Sequence, residues 1–281
     1  MPSQPEIIDT HCHLDDKAFD EDRAAVWERA QAAGVAAIIN PASNIDDSRA
    51  TVKLAHEMPG VFAAVGIHPH AAVEMNAQKL EEAEKELSKL SKDQTVVAIG
   101  EFGFDSKNGS AEVQKPAVQM LLKLAHAQEL PIILHCRDMY TDLFAAIDQS
   151  STAHSKDGLQ GPKHTGVVHS FTGGPAELDQ ILKRGLHVAF GGIVTFDKKT
   201  ELLREAAKQC PLDRMLLETD SPSLTPVPRR GRRNEPAEVA TICDFIAKLR
   251  GISYAELARA TTQNARRLFS LPEGLGARKT Q

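Results

Sequence analysis

The stretch EIIDTHCHLD (residues 6–15) runs from a pair of isoleucines through an acid to two histidines one residue apart. In a β-strand, side chains at i and i+2 point the same way. An extended chain here aims His11 and His13 at one point, as a metal ion requires, and turns Cys12 away from it. The pair alone does not establish a site, because a polar N-terminal segment would also carry it. Whether other apolar runs end in the same way decides both the fold and the site.

They do. VAAIIN (35–40), VFAAVGIHPH (61–70), TVVAIGEFGFD (95–105), PIILHCRD (131–138), TGVVHSFTGG (165–174), LHVAFGGIVTF (186–196) and RMLLETDSP (214–222) all read as buried strands. Helical spacing separates them, near 19–33, 46–58, 77–90, 111–129, 140–149, 175–184 and 198–210. Further helical segments at 236–249 and 254–269 close the chain. Eight strands, each followed by a helix, predict an α/β protein of the (β/α)8 TIM-barrel type. The 281 residues suit one such barrel, which commonly has about 250. An open doubly wound sheet is disfavoured, because no G-x-G-x-x-G follows the first strand. We expect a single domain over residues 1–281, with a polar insertion near 150–163 and a frayed tail at 274–281.

Composition narrows the function. Hydrophobic residues make up 42% and charged residues 25%, as in ordinary soluble proteins. A formal net charge of −5 gives no global attraction to polyanions, so a nucleic acid would need a local basic patch. No signal peptide and no membrane span is expected. The four cysteines are far apart and read as free thiols of a reducing, cytoplasmic setting.

Barrel active sites lie at the C-terminal ends of the strands. Those ends carry His11 and His13, His68 and His70, Glu101 and Asp105, His135, Arg137 and Asp138, His169, and finally Glu218 and Asp220. A converging cluster of this kind is costly to bury unless it is paired or bound to metal. His11, His13, Glu101, His135, His169 and Asp220 offer four imidazoles and two carboxylates, enough for two divalent ions. Glu101, on the fourth strand, is placed to bridge them. Two such ions suit hydrolytic displacement at phosphorus. Magnesium is the expected ion, with manganese or zinc as alternatives. Asp220 is expected to orient or deprotonate the attacking water.

In combination, DTHCHLD, GIHPH, AIGEFGFD, LPIILHCRD, GVVHSFTGG, GGIVTF and LLETDSPSLTPVPRRGRRNEP make the sequence resemble the TatD family of metal-dependent deoxyribonucleases. The resemblance runs along nearly the whole chain. It implies an amidohydrolase-like barrel that cleaves DNA phosphodiester bonds, often from the 3′ end of single strands. It also implies that His11, His13 and Asp220 hold one metal, that His135 and His169 hold the other, and that Glu101 bridges them. His68 matches a family histidine that contacts the scissile phosphate. The chain departs from the family where Phe104-Asp105-Ser106 replaces the usual Leu-Asp-Tyr.

Arg229, Arg230, Arg232 and Arg233 form a basic loop just after Asp220, a candidate phosphate contact on an acidic protein. Arg137 is another candidate, unless it pairs with Asp138. The amides around Gly173 and Gly174 can also hold an anion. Phe102, Phe104 and Phe171 are the nearest stacking candidates in a chain with only 5% aromatics. We expect a monomer acting on DNA. The alternatives are hydrolysis of another ester, lactone, amide, RNA or aminoacyl-tRNA, and a non-catalytic nucleic-acid-binding protein.

Overall fold

In a computed structural model of the chain, residues 5–153 and 164–273 are described. The expected tail lies outside them, as does most of the expected insertion. Residues 150–153 are not loop, because the sixth helix continues through them to Ala153.

The strands are β1 (Ile7–Asp9), β2 (Val35–Pro41), β3 (Val61–Val65), β4 (Val96–Asp105), β5 (Ile132–Arg137), β6 (Gly166–Val168), β7 (His187–Phe190) and β8 (Met215–Leu217). They pair in sequence order, all parallel, as one eight-stranded sheet. Three backbone bonds join the ends of β8 and β1 and the residues just past them: Thr10 N–H to Leu217 O (3.1 Å), Asp220 N–H to His11 O (2.8 Å) and His13 N–H to Ser221 O (2.9 Å). This is the (β/α)8 TIM barrel expected from the alternation.

The helices are α1 (Arg23–Ala32), α2 (Ile45–Glu57), α3 (Pro69–Ala72), α4 (Ala77–Leu90), α5 (Ala111–Ala127), α6 (Tyr140–Ala153), α7 (Pro175–Lys183), α8 (Glu201–Gln209), α9 (Val239–Arg250) and α10 (Tyr254–Phe269). Pro116 is accommodated within α5. No helix among the described residues is long and apolar enough to cross a membrane.

Strand alternation sorts the core into two clusters. Ile8, Ile39, Ala64, Val97, Ile133, Val167, Ala189 and Leu216, one from each strand, fill the barrel. Their neighbours Ile7, Ile38, Val65, Val96, Leu134, Val168, Val188 and Leu217 pack outward among the helices. Ala265, Phe269 and Leu271, from the end of α10 and just beyond it, join the inner cluster and seal the N-terminal end of the barrel.

Candidate metal centre

The alternation that fills the barrel also builds the site. Two residues beyond inward-facing Ile133 comes His135, two beyond Val167 comes His169, and two beyond Leu216 comes Glu218. Period-two geometry thus turns an apolar interior into a polar mouth.

Glu101 stands at its centre. Its Oε1 lies 3.6 Å from His11 Nε2 and 3.5 Å from His13 Nε2. Its Oε2 lies 3.4 Å from His135 Nδ1 and 2.8 Å from His169 Nε2. Asp220 Oδ1 adds contacts of 3.9 Å to His11 and 3.6 Å to His13. The two carboxylate oxygens therefore face two different pairs of imidazoles. Ligand atoms cluster within 4.8 Å of one another in three sets: His11–His13–Asp220, His11–Glu101–His169 and His68–Glu101–His135.

These distances fit metal ligation. Most exceed the usual 2.7–3.2 Å range of hydrogen bonds. Two ligand atoms, each about 2.1 Å from a shared ion, lie about 3.0–3.4 Å apart. Neither ring nitrogen of buried His11 has a hydrogen-bond partner, a costly state that an ion would relieve. Burial, aided by His169, pushes the His11 pKa down to about 4 and keeps its ring neutral, as a ligand must be. Burial works against ionised Glu101, but His169 and His11 hold it well below the usual carboxylate range. Burial also opposes a charged His13, yet Asp220 and Glu101 lift its pKa to about 10. The two carboxylates thus demand positive charge at this spot.

His68 joins the set as well. Its ring lies 4.5 Å from that of His135, and burial pushes its pKa down to about 3. Its Nδ1 sits 2.6 Å from His70 Nδ1. This placement puts His68 within a potential ligand cluster, beyond the phosphate contact that the resemblance implies.

Three supporting acids were not given roles by the sequence. Fully buried Asp9 accepts from His11 N–H (3.3 Å), Thr219 N–H (2.9 Å) and Thr219 Oγ1 (2.6 Å), tying the end of β1 to that of β8. Burial raises its pKa to about 7. Asp105 Oδ2 lies 3.3 Å from His135 Nε2 and accepts from Arg137 at 3.2 Å. Glu218 accepts from the Ser170 amide and lies 3.8 Å from His169 Nδ1. Burial pushes the Glu218 pKa well up. An acid retained at the end of an apolar run was the one signal available for all three.

Several expected substrate contacts have other occupations. Arg137 pairs with Asp105, not Asp138. Arg229 pairs with Glu238, and Arg233 pairs with Asp22 (2.8 Å) and Glu235 (3.0 Å). Only Arg230, stacked 3.7 Å over Phe196, and Arg232 extend from that loop without an ion pair among the described residues. The Gly174 amide is taken by Glu177 at 2.8 Å, so it is not a vacant anion site. Phe102, Phe104 and Phe171 are at most 1% exposed and pack in the core rather than offering stacking faces.

Residues 8–270 match the model of the family described as TatD related DNase. The chain belongs to the TatD-related DNase family. It is 35% identical over 267 residues to a metal-dependent hydrolase, YabD, of Bacillus subtilis, covering 94% of this chain and 99% of that one. It is also 35% identical over 272 residues to the 3'-5' ssDNA/RNA exonuclease TatD of Citrobacter rodentium, covering 94% and 98%. The crystal structure of the TatD homologue YJJV from Escherichia coli superimposes with a TM-score of 0.84 at 30% identity, covering 95% and 98%. Family membership and the histidine–carboxylate clusters together make this TatD-family chain a metal-dependent hydrolase.

Proposed function

We propose that the protein is a two-metal deoxyribonuclease that removes nucleotides from the 3′ end of single-stranded DNA. The observation that carries this reading is Glu101, whose two oxygens face separate imidazole pairs. His11, His13 and Asp220 would hold one ion, His135 and His169 the other, with Glu101 between them. Bound ions supply a water of lowered pKa and neutralise charge on the phosphoryl oxygens and the leaving group. Magnesium is the working ion in this reading, with manganese and zinc as substitutes.

The chain's own groups do the rest. Asp220 is 19% exposed where Glu101 is 4%, so it meets the mouth and can orient the attacking water or take its proton. His68, neutral and close to His135, donates to a phosphate oxygen. Arg230 and Arg232 attract the backbone, and Arg137 contacts it while paired with Asp105. Such contacts position the strand without reading its sequence. Similarity to the 3'-5' ssDNA/RNA exonuclease TatD of C. rodentium supports a single-stranded substrate and leaves RNA as a second one. We place the enzyme in the cytoplasm as a monomer, in keeping with its free thiols.

The test is metal-stripped protein on end-labelled single-stranded DNA, with magnesium, manganese or zinc restored. Shortening that requires metal and is lost in Glu101→Ala supports the proposal, and the label gives the polarity. Intact DNA with every metal overturns it and directs attention to RNA and ester substrates.

A further inference from the structure

Asp105 uses its two oxygens for different tasks. Oδ1 accepts from the Lys107 amide at 2.8 Å and starts the turn after β4. Oδ2 faces His135 Nε2 at 3.3 Å, while the other nitrogen of that ring faces Glu101 and His169. The acid is only 2% exposed.

Its position is over-determined. Buried Gln114 on α5 accepts from the Asp105 amide (2.8 Å) and donates to the Asp105 carbonyl (3.0 Å) and the Gly109 carbonyl (2.9 Å). Gly103, two residues earlier, pairs with His135 across the sheet. A Cβ there would stand 1.9 Å from the His135 carbonyl oxygen, so only glycine allows β4 and β5 to lie this close. The backbone thus delivers a carboxylate to one edge of one imidazole.

We propose that Asp105 is a positioning residue, which accepts the Nε2 proton of His135 and so commits Nδ1 to the metal. The inference rests on the two-metal reading above. A carboxylate behind a ligating histidine fixes its tautomer and makes it a better ligand, and losing such a partner typically costs 10–100-fold in metal affinity. Arg137 shares Oδ2, so the same oxygen also joins a ligand to a residue at the substrate mouth.

Asp105→Asn discriminates well. Keeping the Lys107 bond leaves the amide NH₂ facing His135 Nε2. That NH₂ donates where an acceptor is required and moves the imidazole proton to Nδ1. In full-length protein loaded with zinc, which is diamagnetic, imidazole ¹⁵N–¹H NMR should show His135 protonated at Nε2 and ligated through Nδ1. In Asp105→Asn that pattern should disappear, and one of two zinc affinities should fall 10–100-fold. Arg137→Gln should preserve the pattern and both affinities within about threefold. Native protein with His135 protonated at Nδ1 overturns the proposal without any variant. Asp105→Asn with an unchanged pattern and unchanged affinities also overturns it. The expected spectrum in a protein that cuts no DNA would sink the nuclease reading and leave the role of Asp105 standing. Native protein that binds no zinc would overturn the role of Asp105, while the nuclease reading would stand or fall with magnesium and manganese.

Discussion

The two ends of the barrel treat buried polar groups in opposite ways. At the N-terminal end most of them are matched. Asn264 donates to Leu212 O (2.6 Å) and Met215 O (2.8 Å), Thr262 donates to Glu6 O (2.8 Å), and Arg266 pairs with Glu6. Phe269 and Leu271 cover the interior beneath them. At the C-terminal end, both nitrogens of His11 and the Nδ1 of His169 are buried without hydrogen-bond partners. Their cost is an incentive to bind something else. One end is built for stability and the other holds binding capacity in reserve, on the same strands.

The sharpest break of that contrast is Glu101→Gln. Replacing the shared carboxylate should lower nuclease activity by at least about a thousandfold, on the scale of losing a principal catalytic group. Added metal stabilises a protein whose folded state alone binds it. Native protein should therefore melt at a higher temperature with metal, and the variant should not. A variant that keeps this metal-dependent shift would remove Glu101 from the centre of the site.

The opposite end should give the reverse result. Phe269→Ala should cost about 3–5 kcal/mol in denaturant unfolding, through lost burial and a cavity under the barrel. The folded fraction should keep its metal affinity and turnover within about twofold. Asn264→Ala should cost less, about 1–3 kcal/mol, by leaving two carbonyls poorly matched. A loss of turnover in either folded variant would show that the two ends are coupled and the division is wrong.

Much of this division was legible in the sequence. Eight apolar runs fixed the barrel because parallel strands buried on both faces leave such runs. The six candidate ligands stood out because they fall just past those runs. The runs themselves overstated the strands. TGVVHSFTGG yields a ladder of three residues, Gly166–Val168, since His169 and its successors leave the sheet to form the mouth. Which nitrogen of His135 faces inward depends on Asp105 across β4 and β5, and no one-dimensional pattern encodes that. The loop RRGRR likewise reads as four equivalent charges. In the fold, Asp22 and Glu235 claim Arg233, and Glu238 claims Arg229.

The finest test of the contrast is acid. Among the matched groups at the N-terminal end, His187 at the start of β7 is an exception, with Nδ1 buried and lacking a hydrogen-bond partner. Burial lowers its pKa, helped by Arg214 and Arg267; Asp213 and the Gly166 carbonyl act the other way. An unfolded histidine takes up its proton near pH 6.5. The folded ring resists until a lower pH, so its contribution is full above about 6.5 and is lost as pH falls toward the lowered value. His13 at the mouth has the opposite sign: its contribution is complete below about 6.5 and is lost as pH rises through about 10. His187→Gln should therefore flatten the metal-free stability curve below about pH 6.5 and leave the alkaline limb intact. The effect should be the smallest of the set, reduced by the ring's partial exposure. Urea unfolding at several pH values would measure it. An acid limb identical to that of native protein would place the acid-sensitive groups at the mouth alone.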